Sequence, residues 1–324
     1  MYRKLASTAD RIEAVLRERR APAIVVGGRV LPGFVEMLLR PAPGTRVSQI
    51  KALQADLALA LGNANVRLVQ SGDHLAVHIP RAQRSVVRLS QLLQRAQQAP
   101  PYTAVLGLAE DGAVLMANLA APEVAHVLIA GATGSGKTVL ARTIVLSLCA
   151  RHRPAQFGLV VIDPKLRGED VFENAVRRHL LLPIARTPEA IHAAIARVVQ
   201  AMEQRTPRDA IHPRVLVYVD ELADVCHMGG SGVVEQLTRI AQRGREVGVH
   251  LLACTQKPTA RAIGSLLKAN LPLRLVGRVA SPEDARVAAG RGGTNAERLL
   301  GSGDFLAVSG AGTIRFQAAY PDVM

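Results

Sequence analysis

A chain of 324 residues with 49% hydrophobic content has room for one large or two medium domains with cores of their own. Its net charge of +14 favours an anionic partner, while 3% aromatics and no tryptophan remove the usual material for stacking on single-stranded bases, so contact with a duplex backbone is the better fit. Three cysteines (Cys149, Cys226, Cys254), an odd number without C-x-x-C spacing, point to buried thiols in a reducing, cytoplasmic compartment, and no apolar run approaches the ~20 residues that cross a bilayer.

Residues 1–22 read as a separate basic helix, with Leu5, Ile12, Val15 and Leu16 on one side, Arg11, Arg17, Arg19 and Arg20 elsewhere, and a solvated outer face. Residues 23–100 read as a small α+β unit. It has a strand over Phe34–Arg40, a helix capped by Ser48 with Ile50, Leu53, Leu57 and Leu61 on one face, and strands over Val66–Val69 and Leu75–Ile79 joined at Ser71-Gly72-Asp73. No catalytic constellation falls there. Pro100 and Pro101 suggest a linker, after which 101–324 forms the second domain.

In that domain Val124–Ala130 is an apolar run of strand length, followed by Gly131-Ala132-Thr133-Gly134-Ser135-Gly136-Lys137-Thr138-Val139 and a helical apolar pattern. This is G-x-x-x-x-G-K-[ST] in its required context of strand, loop and helix. Backbone N–H groups of such a loop surround phosphate oxygens, the new helix turns its positive end toward them, Lys137 reaches the β and γ phosphates, and the Thr138 hydroxyl suits Mg²⁺. Residues 131–139 are therefore the expected ATP-binding loop. Further buried strands are predicted at Leu159–Ile162, Val215–Val219 and Val249–Cys254, with helices opening at Thr187-Pro188 and spanning about Gly232–Val247, and a closing hairpin around Ser309–Gly312. The alternation predicts a parallel sheet with ligands at the strands' carboxyl ends, where Gly131, Asp163, Asp220 and Thr255 fall.

Asp220-Glu221 at a strand end supplies two acids with different tasks: Asp220 to hold Mg²⁺ through water, and Glu221 to orient or deprotonate the attacking water. Gln256, ending the neighbouring strand, is placed to sense the γ-phosphate or is a plain loop amide. Arg243 and Arg245 close the helix before that strand. Arg245 fits either an arginine finger on the next subunit's ATP or a cation complementing a helix dipole.

Beyond these motifs, IDPK at Ile162–Lys165, VYVDELAD at Val217–Asp224, GVHLLACTQKP at Gly248–Pro258, LLKANLPLRL at Leu266–Leu275 and LLGSGDFL at Leu299–Leu306 occur in an order and spacing that resemble the FtsK/SpoIIIE family of double-stranded DNA translocases. LLRPAPGTRVSQIKALQADLALAL at Leu38–Leu61 resembles the small α domain that precedes the motor in that family. The resemblance implies an α/β fold: a RecA-like P-loop NTPase with a mostly parallel sheet, preceded by a small α+β domain. It implies a hexameric ring around duplex DNA, ATP and Mg²⁺ at subunit interfaces, and chromosome partition or mobile-element transfer as the task. It places an interface arginine at Arg245 and makes Lys257, Arg261 and Lys268 candidates for DNA phosphate contacts, with ordinary surface cations as the alternative. Transmembrane and winged-helix segments are not expected within the chain, so membrane anchoring and recombinase contacts would fall to partner proteins. A coupling or protein-secretion ATPase of the same superfamily, and a DNA-binding scaffold switched by nucleotide, are the competing readings.

Overall fold

The basic N-terminal stretch forms helix α1 (Tyr2–Glu18), and its apolar stripe is enclosed, with Ile12 and Leu16 fully buried. They pack with Met37, Leu39, Ile50, Leu57 and Val77 in one core, each such side chain stabilising by ~1.5–3 kcal/mol. Only the opposite face is solvated, where Arg11, Arg17, Arg19 and Arg20 are exposed. Arg19 pairs with Asp56 at 2.8 Å. The helix is thus part of a compact unit, Met1–Val86, rather than a free arm.

The computed structural model describes residues 2–31, 33–63, 66–71, 74–81, 86–165, 170–206, 213–256 and 258–322. Gly72 and Asp73 of the expected turn, and Lys257, lie outside these. The first unit holds an antiparallel sheet of β1 (Ala23–Val30), β2 (Phe34–Pro41), β3 (Arg67–Ser71) and β4 (His74–Pro80), ordered β1-β2-β4-β3. β1 gave no alternating signal because the register shifts between Val25 and Gly27, which breaks the period of two. The single helix expected after Ser48 is two, α2 (Val47–Ala52) and α3 (Gln54–Leu61), separated at Leu53. Ser48 lies inside the first turn. Arg46 holds the N-cap position instead, its N–H donating to Gln49 Oε1 at 2.9 Å.

The second unit is Val87–Met324, so the division falls well before residue 100. Helix α4 (Leu89–Arg95) buries Leu89 and Leu92 in the second unit's core, and Pro100-Pro101 lies inside that unit. The strands are β5 (Thr103–Ala109), β6 (Val114–Asn118), β7 (Val127–Ala130), β8 (Phe157–Ile162), β9 (Arg214–Val219), β10 (Val249–Thr255), β11 (Leu273–Val276), β12 (Asp304–Ser309) and β13 (Gly312–Ala318). They form one sheet ordered β6-β5-β13-β12-β11-β7-β10-β9-β8. The sheet is mixed, where a mostly parallel one was expected. β11, β7, β10, β9 and β8 run parallel, while β12, β13, β5 and β6 join antiparallel through two hairpins. Alternating strands and helices announced only the parallel half.

Helices α5 (Lys137–Arg151), α6 (Asp170–Val176), α7 (Pro188–Glu203), α8 (Leu222–Arg243), α9 (Ala260–Ile263), α10 (Ser265–Ala269) and α11 (Pro282–Ala289) complete the unit. Leu140, Ile144 and Leu148 of α5 pack in one core with Val127, Ile129, Leu252 and Cys254 of the sheet. On the other side Ile191, Ile195 and Val198 of α7 join Leu222, Val225 and Leu237 of α8. Both faces of the parallel half are therefore dry, as its continuous apolar strands require. α7 begins as predicted, with Thr187 Oγ1 accepting from Ala190 N at 3.3 Å and Pro188 in the first turn. α8 starts ten residues earlier than expected and is kinked at Gly230 (φ 61°); the glycines around that kink hid its first half from a reading by periodicity. Among the described residues no helix is long and apolar enough to cross a membrane.

Candidate nucleotide site

β7 delivers the chain into the glycine loop, and α5 starts at Lys137 with Gly136 (φ 101°) as its N-cap. That dihedral excludes an ordinary side chain, and a Cβ there would also sit 3.0 Å from Gly303 N. Backbone from far along the chain supports the loop from behind. Ser302 N–H donates to Gly134 O at 3.1 Å, Gly303 N–H to Ser135 O at 2.9 Å, and Ala132 N–H to Arg278 O at 2.8 Å. With those carbonyls tied outward, the N–H groups of Thr133, Gly134, Gly136, Lys137 and Thr138 make no hydrogen bond with the described residues. Five free donors at the start of a 15-residue helix form a concave anion receptor. Lys137 Nζ donates to Gly131 O at 2.7 Å and Ala132 O at 3.2 Å. Burial, outweighing the nearby acids Glu221 and Asp220, lowers its pKa from the usual lysine value.

Asp220 and Glu221 leave the carboxyl end of β9, two strands from β7, with β10 between them. Tyr218, on the same face two residues earlier, donates its hydroxyl to Asp220 Oδ1 at 2.6 Å and fixes that carboxylate. Burial, with help from Asp220, pushes the Tyr218 pKa far up, so it stays a donor. Thr138, Asp163 and Asp220 line one cavity of about 260 Å³. Burial first, and then the Asp220 charge, raise the Asp163 pKa. Among the described residues no group of three or more His, Cys, Asp or Glu could hold a metal. One hydroxyl and one fixed carboxylate facing the same cavity nevertheless fit Mg²⁺, which keeps several waters and shares phosphate ligands rather than occupying an all-protein cage.

Glu221 is buried, and both its oxygens are held. Oε1 accepts from Gln256 N at 3.1 Å, and Oε2 accepts from Lys165 Nζ at 3.3 Å. Gln256 turns its side chain back to the loop, where Thr133 Oγ1 donates to Gln256 Oε1 at 3.3 Å. The loop, both acids and Gln256 thus meet at the carboxyl ends of β7, β9 and β10. Sequence reasoning gave no role to Tyr218, Lys165 or the Ser302-Gly303 turn. Period-two spacing offered a clue to Tyr218 and the glycines of Leu299–Leu306 to the turn. Nothing local linked Lys165 to an acid 56 residues away.

Arg245 stands apart from this cluster. It is exposed in a 3₁₀ turn, Gly244–Val247, at the amino end of β10. β10 is seven residues long, so Arg245 lies ~23 Å from its own chain's Gln256 at ~3.3 Å per residue. Arg261 is exposed on a groove of about 1300 Å³ between α8 and the α9–α10 segment, which Arg239 and Arg243 also line. Lys268 is half-buried on α10 and lies outside that lining. Burial first, then Arg274 and Arg286, lower its pKa.

The family described as FtsK/SpoIIIE matches residues 88–211 and 205–260, and the FtsK alpha domain matches residues 2–81. DNA translocase FtsK of Sporosarcina ureae is 32% identical over 353 aligned positions, covering 98% of this chain and 44% of that protein. DNA translocase SpoIIIE of Bacillus subtilis is 30% identical, with the same two shares. The chain therefore spans less than half the length of these relatives. Among solved structures, the pCW3 conjugation coupling protein TcpA, in its monomer form with ATPgS, aligns over 98% of this chain and 96% of its own, with TM-score 0.65 and 18% identity. The cytoplasmic domain of the Thermomonospora curvata type VII secretion ATPase EccC aligns over 73% of this chain and 32% of its own, with TM-score 0.58 and 24% identity. At those identities the two structures speak for the fold alone, that of P-loop ATPases. With both units matched and the glycine loop, acids and Gln256 assembled on one sheet edge, the chain belongs to the FtsK/SpoIIIE family.

Proposed function

We propose that Val87–Met324 is the motor of an ATP-driven double-stranded DNA translocase, working in the cytoplasm as a hexameric ring, with Met1–Val86 as its small companion domain. The observation that carries this reading is the meeting of the free N–H cradle, Asp220, Glu221 and Gln256 at the carboxyl ends of neighbouring parallel strands in a chain of this family. A net charge of +14 and the arginines along the α8 groove suit an anionic polymer.

In this reading residues 131–139 bind the phosphates of ATP, with Lys137 on the β and γ groups. Thr138 and Asp220 would hold Mg²⁺, which when bound would offset phosphate charge and polarise the γ-phosphoryl group. Glu221 accepts the proton of the water whose oxygen bonds to the γ-phosphorus as the bond to ADP breaks. Gln256 bridges the loop and Glu221, and Arg245 completes the site of an adjacent subunit. Arg261 and Lys268, with Lys257 from the sequence, meet DNA phosphates.

The test is steady-state ATP hydrolysis with and without duplex DNA, combined with displacement of a third strand from the duplex. Wild type is expected to hydrolyse ATP faster with duplex and to displace the third strand. Lys137→Ala and Glu221→Gln are each expected to lose ~100-fold or more in kcat, with Glu221→Gln still binding nucleotide. Hydrolysis stimulated by a partner peptide but not by duplex DNA would favour a polypeptide-moving ATPase instead.

A further inference from the structure

In the proposed reaction Glu221 must offer a carboxylate oxygen to the attacking water, yet in this structure neither oxygen is free. Gln256 N–H occupies Oε1 at 3.1 Å and Lys165 Nζ occupies Oε2 at 3.3 Å. The same ammonium lies 3.1 Å from Asp224 Oδ2, one turn further along the helix that Glu221 opens. The two acids differ in setting, the Glu221 side chain being 6% exposed and that of Asp224 49%. Lys165 is anchored at its base, where its backbone N–H donates to Asp163 Oδ1 at 3.1 Å, so its ammonium swings about a fixed root. Both holds are charge-assisted hydrogen bonds to the carboxylate, and the one from Lys165 adds a full opposite charge.

A path from outside reaches this clasp. Asp224 sits in the first part of α8, before the kink at Gly230. Ala223, Cys226 and His227 of that same stretch line the groove that carries Arg261. Whatever fills the groove bears on the helix segment that presents Asp224.

We propose that Lys165 is a positioning residue that bridges Glu221 and Asp224 at rest and keeps only Asp224 when a polyanion occupies the α8 groove, freeing Glu221 Oε2 for the water. The inference rests on the proposed ATPase reaction and adds a regulator of its base. A purely structural lysine would lower activity when removed; a restraint raises it under one condition only.

Wild type, Lys165→Ala, Lys165→Arg and Asp224→Asn are compared for ATP hydrolysis without and with duplex DNA, with binding of a fluorescent ATP analogue as the check on folding. Lys165→Ala is expected to raise the DNA-free rate by about fivefold, to shrink the stimulation ratio toward one, and to leave KM for ATP within about twofold. Lys165→Arg should return the low DNA-free rate. Asp224→Asn, by removing the alternative partner, should lower the stimulated rate. A Lys165→Ala protein that binds the analogue but hydrolyses ATP more slowly with and without DNA, or with a KM raised about tenfold, overturns the proposal in favour of a phosphate-binding lysine. Unchanged rates overturn it too. Wild type that hydrolyses no ATP under any condition removes the ATPase reading itself, and this inference with it.

Discussion

Two buried histidines brace the strand that carries the glycine loop. Leu251 N–H donates to His126 Nδ1 at 3.0 Å, while His250 Nδ1–H donates to Ala125 O at 2.9 Å and Arg214 donates to His250 Nε2 at 3.1 Å. Accepting a hydrogen bond at His126 Nδ1 and at His250 Nε2 requires each ring to be neutral. Burial first, with His250 and Arg245 adding to it, lowers the His126 pKa to about 3. Burial also lowers that of His250 to about 4, Arg214 adding and the Ala125 carbonyl opposing. Unfolded histidine titrates near ~6.5. Below that pH the unfolded chain takes up protons that the folded chain refuses, so the stability is fully present above ~6.5 and is lost toward acid by up to ~1.4 kcal/mol per pH unit for each histidine. Urea midpoints measured from pH 7.5 down to 5 should fall steeply for wild type and less steeply for the His126→Asn/His250→Asn double variant; parallel slopes would rule the account out. At this scale the sequence made legible what spacing dictates, the glycine loop and the Asp220-Glu221 pair. Lys165, Tyr218 and the histidines escaped because their partners come together only once the sheet is built.

The closing hairpin shows how an element can serve a loop it never joins in sequence. Arg315 clasps Asp304 through two bonds, Nε to Oδ1 at 2.9 Å and Nη2 to Oδ2 at 2.8 Å, and Leu300 N–H adds a third to Oδ2 at 2.7 Å. This fixes the turn that presents Ser302 and Gly303 to the glycine loop. The Arg315 and Asp304 side chains are only 13% and 7% exposed, and removing one partner of a buried pair costs ~3–5 kcal/mol. Asp304→Ala should therefore lower the denaturation midpoint and weaken nucleotide binding together, the latter read by analogue titration under conditions where the protein is folded. The hairpin was readable from Ser309-Gly310-Ala311-Gly312 between two apolar runs. Its neighbour β5 was not, because Gly107 interrupts the strand where the β5–β6 register shifts, and a Cβ there would overlap the Gln317 carbonyl. The break at Leu53 escaped because apolar spacing continues across it and only packing reveals the interruption, whereas at Gly230 the glycines interrupt the spacing and hide a helix that packing carries through.

For the whole molecule, the separation along β10 is the informative dimension. Arg245 and Gln256 stand at opposite ends of a fully buried strand, so an arginine that works on ATP must work on another subunit's. Arg245→Ala has an intact loop and lacks the arginine; Lys137→Ala has the arginine and a dead loop. Mixed before assembly, the two inactive proteins should recover part of the wild-type hydrolysis rate, and a mixture as inactive as its components would refute action in trans. The wall behind the glycine loop carries a different consequence, one of timing. Gly134 and Ser135 lean on Ser302 and Gly303, which leave the ribosome 168 residues later. A nascent chain thus displays the entire phosphate-binding motif long before it owns the support that shapes it. The engine stays cold until that distant turn has been made.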